Sequence, residues 1–257
     1  MPRSSDDSSG SRPHRRAVTI RHAIEIGVPA IALLAIAMMW LGSGGPTSER
    51  PDDPVIGTSV ALGDAPVVGD NDAPIVGLVF SNFACALCVQ FGHEVWPHLR
   101  RRWVETGEVQ VVFRHFTSST EPTAEAAVRL AGCLARHEQF WLVHDSVFRD
   151  QPVWNEAAFR RQAADAGIRL DGLNACVRYG GSDEQLREDR ELAFSLELER
   201  APMFVIGTRE GDGQVRVRGL IYGAAPVEQF DKAFRLVSDN IASNHGDGSY
   251  NDASGGT

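Results

Sequence analysis

Cys85-Ala86-Leu87-Cys88 stands where a short apolar run, Ile75-Val76-Gly77-Leu78-Val79-Phe80, has just ended and an amphipathic stretch begins. That placement constrains the fold more than any other feature of the 257-residue chain. The run shows no polar alternation, as a strand buried on both faces would. From Cys88 to about Arg102, the residues Phe91, Val95, Leu99 and Trp103 recur at four-residue spacing, the apolar face of a helix, with Pro97 expected to kink it. Val109 to Phe113 is a second apolar run, so strand, helix and strand form a βαβ unit with parallel strands. From about residue 121 to 198 the pattern is helical, with breaks at Pro152, Gly167 and Gly180-Gly181, enough for four or five helices. Met203 to Ile206, a turn at Glu210 to Gly213, and the alternation Val215, Val217, Leu220 read as a hairpin. A last helix is expected from Pro226 to Val237, with Phe230, Phe234 and Val237 on one face. The expected fold class is α/β, ordered β-α-β, an inserted all-helical layer, then β-β-α.

The cysteine pair carries the chemistry. A thiolate at a helix N-terminus is stabilised by unpaired backbone N–H groups and the helix dipole, so Cys85 is the expected nucleophile. Cys88, inside the first turn, can attack a mixed disulfide formed at Cys85 and release the partner, which makes it the resolving residue. With His93 and His98 the pair also reads C-x2-C-x4-H-x4-H, a set of four zinc donors, but all four would crowd one helix instead of folding a turn around a metal. No metal is expected. Covalent haem attachment needs His directly after the second cysteine, and position 89 is Val. Cys133 and Cys176 lie in the helical block with no helix-start signal to activate them, and a structural disulfide is the expectation for them; buried thiols and a second redox relay are the alternatives.

Phe80-Ser81-Asn82-Phe83-Ala84-Cys85-Ala86-Leu87-Cys88, then Ala201-Pro202-Met203-Phe204-Val205, then Gly223-Ala224-Ala225-Pro226 resemble the DsbA-type thiol-disulfide oxidoreductases of the thioredoxin superfamily. Phe140-Trp141, His144-Asp145 and Phe148 in the helical block belong to the same resemblance, which covers roughly residues 60–240. It implies a thioredoxin fold with a helical insertion and a cis proline, Pro202, packed beside the active disulfide and shaping the substrate site. It also implies that the loop at Ala201 holds an extended substrate peptide by its backbone, and that no cofactor is needed. Phe83, next to the motif, reads most simply as core, and its position also makes it a substrate-binding candidate that could line a peptide groove. The chain departs from the family in two places. Many relatives have Pro after the first cysteine, where Ala86 stands here, and many thioredoxin-like proteins bury an acid behind the disulfide, where Val79 stands here. With Leu87 in place of a histidine between the cysteines, a less extreme oxidant is expected.

The N-terminus gives the address. Ile26 to Gly42 is 17 uncharged residues, about 26 Å as helix, just enough to span a bilayer core. Five Arg and two Asp in residues 1–22 place +3 ahead of it, leaving −12 of the net −9 charge on the remainder. The positive-inside bias keeps residues 1–25 cytoplasmic and exports the body, either on a single transmembrane signal-anchor helix at 26–42 or after cleavage of a signal peptide near Ala35-Ile36-Ala37. The expected location is the cell membrane, single-pass, with the folded domain on its periplasmic or outer face. Residues 43–58 read as a tether, 59–242 as the domain with a leading strand at Ser59 to Leu62, and 243–257 as a disordered tail. An acidic body with one Lys against 24 Arg offers no positive stripe for phosphates, so nucleic acid is excluded as a partner. The partners implied are thiol-bearing exported proteins and a membrane redox protein for recycling. The competing readings are a reductase or isomerase of the same fold, or a non-catalytic peptide- or zinc-binding module.

Overall fold

The structure, a computed structural model, describes residues 53–117, 122–150 and 153–246. The stub, span and most of the tether expected over residues 1–58, up to residue 52, and residues 247–257 lie outside the described residues. Among the described residues no helix is long and apolar enough to cross a membrane.

Six strands form one sheet in the order β1-β6-β5-β3-β4-β2: β1 Ser59–Ala61, β2 Val67–Val68, β3 Ile75–Ser81, β4 Val109–His115, β5 Met203–Arg209 and β6 Gln214–Tyr222. Only β3 and β4 pair in parallel, as the βαβ reading requires, and every other pairing is antiparallel. Every residue of β3 and of β4 is buried, because both faces of the sheet are covered. Side chains alternate between two cores. Ile75 and Val79 face the crossover helix, the last helix and the insert, whereas Val76, Leu78 and Phe80 face Val55, Val60, Ala193 and Leu198. Val55, inside the expected tether, is therefore part of the second core, and the ordered domain begins ahead of Ser59. At the β5–β6 bulge Gly207 has no room for a side chain: a Cβ there would stand 2.4 Å from Val215 Cγ1 and 2.5 Å from the Arg216 carbonyl oxygen.

The crossover helix α1 starts earlier and ends later than the sequence pattern suggests. It runs as Ala86–Gln90, a π-helical turn Phe91–Val95, then Trp96–Leu99 and a second π-helical stretch Arg100–Val104. Pro97 has no N–H to continue the ladder, and the expected kink takes the form of a widened turn before it, where Trp96 N–H donates to Phe91 O five residues back. The insert contributes five helices among the described residues: α2 Pro122–Leu134, α3 Phe140–Asp150, α4 Glu156–Asp165, α5 Leu170–Arg178 and α6 Asp183–Ser195. The last helix, α7 Val227–Gly246, continues nine residues past the expected end at Val237, and Ile241 packs against the core there. Residues 243–246 are thus helix, not tail.

A buried ion pair ties the insert to the sheet. Arg114 on β4 donates to Asp189 on α6 at 2.9 Å and to the carbonyls of Ala61 and Leu62. The other oxygen of Asp189 accepts the His115 backbone N–H at 2.8 Å, and Gln185 completes the carboxylate at 2.9 Å. Both partners are withdrawn from solvent, so removing either would strand a charge at a cost of about 3–5 kcal/mol.

Candidate active site

The site begins where β3 stops. Asn82 turns the chain: its Oδ1 accepts the Ala84 N–H at 2.9 Å, its backbone carbonyl the Cys85 N–H at 3.4 Å, and its Nδ2 donates to Phe116 O at 2.9 Å beyond the end of β4. Sequence reasoning passed over Asn82, although an Asn just after a strand and ahead of a helix is a turn signal. The turn delivers Cys85 as the N-cap of α1 in extended conformation, with its carbonyl accepting the Val89 N–H at 3.0 Å and its Sγ the Cys88 N–H at 3.2 Å. Cys85 and Cys88 are joined as a disulfide. The two sulfurs are not equivalent. Cys85 is partly exposed beside exposed Ala86 and Leu87, whereas Cys88 is fully buried in the core.

Across from the disulfide lies the loop ahead of β5. The Ala201-Pro202 peptide bond is cis, and Ala201 O stands 3.6 Å from Cys85 Sγ. Gly223 N–H donates to Pro202 O at 2.9 Å, holding the loop to the start of α7's lead-in. Ala201, with the cis Pro202 after it, is therefore brought against Cys85, 116 positions away in the sequence. Phe83 does not join them at the surface. Only 1% exposed, it is sandwiched between Phe113 at 5.8 Å and Phe148 at 4.8 Å, so it belongs to the seam between sheet and insert and is closed to a docking peptide. Cys133 on α2 and Cys176 on α5 are paired in a second disulfide within the insert. His98 lies 3.7 Å from Asp231 on α7, His93 is exposed, and among the described residues no group of three or more His, Cys, Asp or Glu side chains is placed to hold a metal ion.

Along the exposed side of α1, Ala86, Val89, Gln90, His93 and Glu94 line an open groove of about 440 Å³ with Phe148 and Arg149 of α3. Beneath the helix lies a second, smaller space of about 30 Å³, lined by Val79, Phe91, Trp96, Trp141, His144 and Phe204 among others. Val79 pairs in register with Phe113, so this stretch of the sheet carries no charge. The titratable group in the space comes from the insert. His144 Nδ1 lies 2.9 Å from Asp145 Oδ1, which also accepts Trp96 Nε1–H at 2.8 Å, while Asp145 Oδ2 is paired with Arg100 of α1. Burial pushes His144 below the ordinary histidine value against the pull of Asp145, and keeps it neutral. Burial would raise Asp145, but the hydrogen bonds from His144 and Trp96 and the nearby Arg100 outweigh it and hold the carboxyl ionised.

The family model described as Thioredoxin matches residues 62–220. A putative protein-disulfide oxidoreductase of Rickettsia bellii is 24% identical over 144 residues, which cover 54% of this chain and 53% of that protein. Disulfide bond formation protein D of Bacillus subtilis is 26% identical over 106 residues, 41% of this chain and 47% of that protein. The chain spans about half the length of the curated relatives it matches. Among solved structures, oxidised BdbD of Bacillus subtilis superposes with a TM-score of 0.61 at 16% identity, covering 72% of this chain and 98% of that one.

Proposed function

This chain belongs to the thioredoxin family, on a match that covers more than half of its residues, and from that premise we propose that it is a DsbA-type thiol-disulfide oxidoreductase acting on exported proteins. One observation carries the reading: a disulfide whose outer sulfur, Cys85, is an N-cap that accepts a backbone N–H and is open to solvent, while its partner Cys88 is fully buried. An incoming thiolate has access to Cys85 alone. Its attack forms a mixed disulfide at Cys85 and expels Cys88 as the leaving thiolate; a second substrate thiolate then attacks the substrate sulfur of that mixed disulfide and leaves both cysteines reduced. The N–H that caps Cys85 stabilises its thiolate, and with it the reduced state, which makes the disulfide a better oxidant. For that reason we read the direction as disulfide donation, with the domain held outside the membrane by residues 26–42 and reoxidised by a membrane redox protein. Extended substrate would lie along the cis Ala201-Pro202 loop, whose carbonyl already meets Cys85.

The test is the reduction potential of Cys85–Cys88 in the full chain, equilibrated in glutathione buffers with free thiols counted by mass spectrometry. A value of about −120 to −180 mV is expected for a donor or isomerase. A value near −270 mV would make the protein a reductase. A pair that never cycles would end the catalytic reading.

A further inference from the structure

A partner bonded to Cys85 has to lie over the residues that flank that sulfur. Ala86, exposed and next in the chain, opens the groove of about 440 Å³ between α1 and α3, a volume within the range of sites that bury a ligand. None of the residues lining it comes from the Ala201-Pro202 loop, so it is a separate surface. From Ala86 to Glu94 the helix advances eight residues, about 12 Å at roughly 1.5 Å each, the length of about four residues of extended chain. The groove has a fixed wall. A Cβ at Gly92 would stand 2.5 Å from Phe148 Cγ, so α3 can press this ring against α1 only because position 92 has no side chain. Phe148 is held from behind by stacking on Phe83 at 4.8 Å and by the His144 ring at 4.7 Å. The π-helical turn Phe91–Val95 carries His93 and Glu94 on the exposed side, farther from Cys85 along the helix. Gln90 donates to Glu94 at 3.0 Å and Arg149 to Asp150 at 2.9 Å, so the polar groups of the rim are engaged, and Ala86, half-buried Val89 and Phe148 are left to meet an occupant. A surface of this kind gains from apolar contact and loses from a buried charge.

We propose that this groove is a substrate subsite that takes a large apolar side chain within about four residues of the substrate's reacting cysteine, on one side of that cysteine only. The inference rests on the thiol-exchange reading and adds a substrate class to it: polypeptides whose cysteine stands close to a leucine, a phenylalanine or a similar residue. Val89 and Phe148 set the preference, because they meet that side chain while Cys85 meets the sulfur. The cysteine and the apolar side chain belong to one chain, so seating the second raises the effective concentration of the first at Cys85. The preference therefore falls on the rate at which the mixed disulfide forms.

The probes are serine-rich peptides with one cysteine, capped as its thionitrobenzoate disulfide, and a single leucine moved through the positions on either side. In the reduced full chain the Cys85 thiolate attacks the peptide sulfur; the Cys85–peptide bond forms, the bond to the cap breaks, and the cap leaves as coloured thionitrobenzoate. Leucine on one side is expected to speed this release about tenfold over the all-serine peptide, and on the other side to leave it within about twofold. Val89→Asp should bring the leucine and all-serine peptides to within about twofold of each other, and whatever the carboxylate does to Cys85 acts on both peptides alike and drops out of the ratio. A folded Val89→Asp chain that keeps the full leucine gain overturns the proposal, as does a wild-type chain with no gain at any position or with equal gains on both sides. If Val89→Asp does not fold, the Cys88→Ala chain decides, since it keeps the peptide on Cys85: NMR must show the leucine methyls against Val89 or the Phe148 ring, and absence of those contacts overturns the proposal. A gain lost at concentrations where the chain self-associates would give the groove to a second copy and overturn it too. Failure of every peptide to react would instead strike the exchange reading.

Discussion

Cys85–Cys88 spans three residues at the start of a helix with one sulfur open to solvent, whereas Cys133–Cys176 spans 43 residues and joins the last turns of two helices in the insert. The position on the helix separates their chemistry. At the N-cap of α1 free N–H groups favour a thiolate, and the Cys88 N–H already points at Cys85 Sγ. At the C-terminal turns of α2 and α5 the free groups are carbonyls, which disfavour a thiolate, and Cys133 is 1% exposed while Gly181 packs over Cys176. The first pair is built to be opened and the second to stay closed, so the first should govern rate and the second stability.

The widest break in this comparison is expected from Cys85→Ser, which should lower insulin reduction by dithiothreitol on the order of 10³-fold or more with little effect on unfolding. Replacing both insert cysteines, Cys133→Ala with Cys176→Ala, should do the reverse. Denaturant unfolding should show about 3–4 kcal/mol lost for the 43-residue loop, with the turnover rate within about twofold of the parent. A large loss of turnover at unchanged stability would give the insert disulfide a redox role after all.

Acid should loosen the seam between the two regions. His115 on β4 packs against Phe113 and against Phe140 of the insert, and both of its ring nitrogens are buried without partners among the described residues. Burial, opposed by Asp189 and assisted by Arg114, lowers its pKa from 6.5 to about 4. The unfolded chain therefore takes up this proton as pH falls below about 6.5, the native state only near 4, and stability is lost across that window. The expected loss is about 3 kcal/mol between pH 7 and pH 4. His115→Gln should flatten the curve there, and an unchanged slope in that variant would assign the effect elsewhere.

What could be read along the chain was what the chain encodes locally. Ile75 to Phe80 is legible because a strand buried on both faces is apolar at every position, and Cys85 because a C-x-x-C between strand and helix fixes its own cap. The second core at Val55, the two-residue strand Val67–Val68 and the extension of α7 to Gly246 were not, since each is made by a distant partner or by a single contact such as Ile241. The Arg114–Asp189 pair joins residues 75 apart and has no local signature. His144 was legible as part of a family pattern, yet its place in the cavity behind Val79 depends on how α3 docks on α1, where Gly92 leaves a Cβ position only 2.5 Å from the Phe148 ring. Phe83 was ambiguous for the same reason: proximity in sequence to Cys85 says nothing about the direction of its ring.

The finest test concerns what lies between the cysteines. Leu87 is 47% exposed and uncharged, so the stabilisation of the Cys85 thiolate comes from the helix end alone. Leu87→His adds a cation two residues away below about pH 6.5, and should lower the Cys85 pKa by about one unit there, with solvent screening holding it to the low end of such effects. One unit is about 1.4 kcal/mol, or about 30 mV for a two-electron couple, and the sign is toward a stronger oxidant because the charge favours the thiolate of the reduced state. Glutathione equilibration at pH 6 and pH 8 reads this directly: the variant should gain on the parent at pH 6 and lose the gain at pH 8. An equal potential at both values, with the Cys85 pKa unmoved, would mean that the cap geometry saturates the thiolate's stabilisation, and that the difference between the two disulfides is set by backbone position alone.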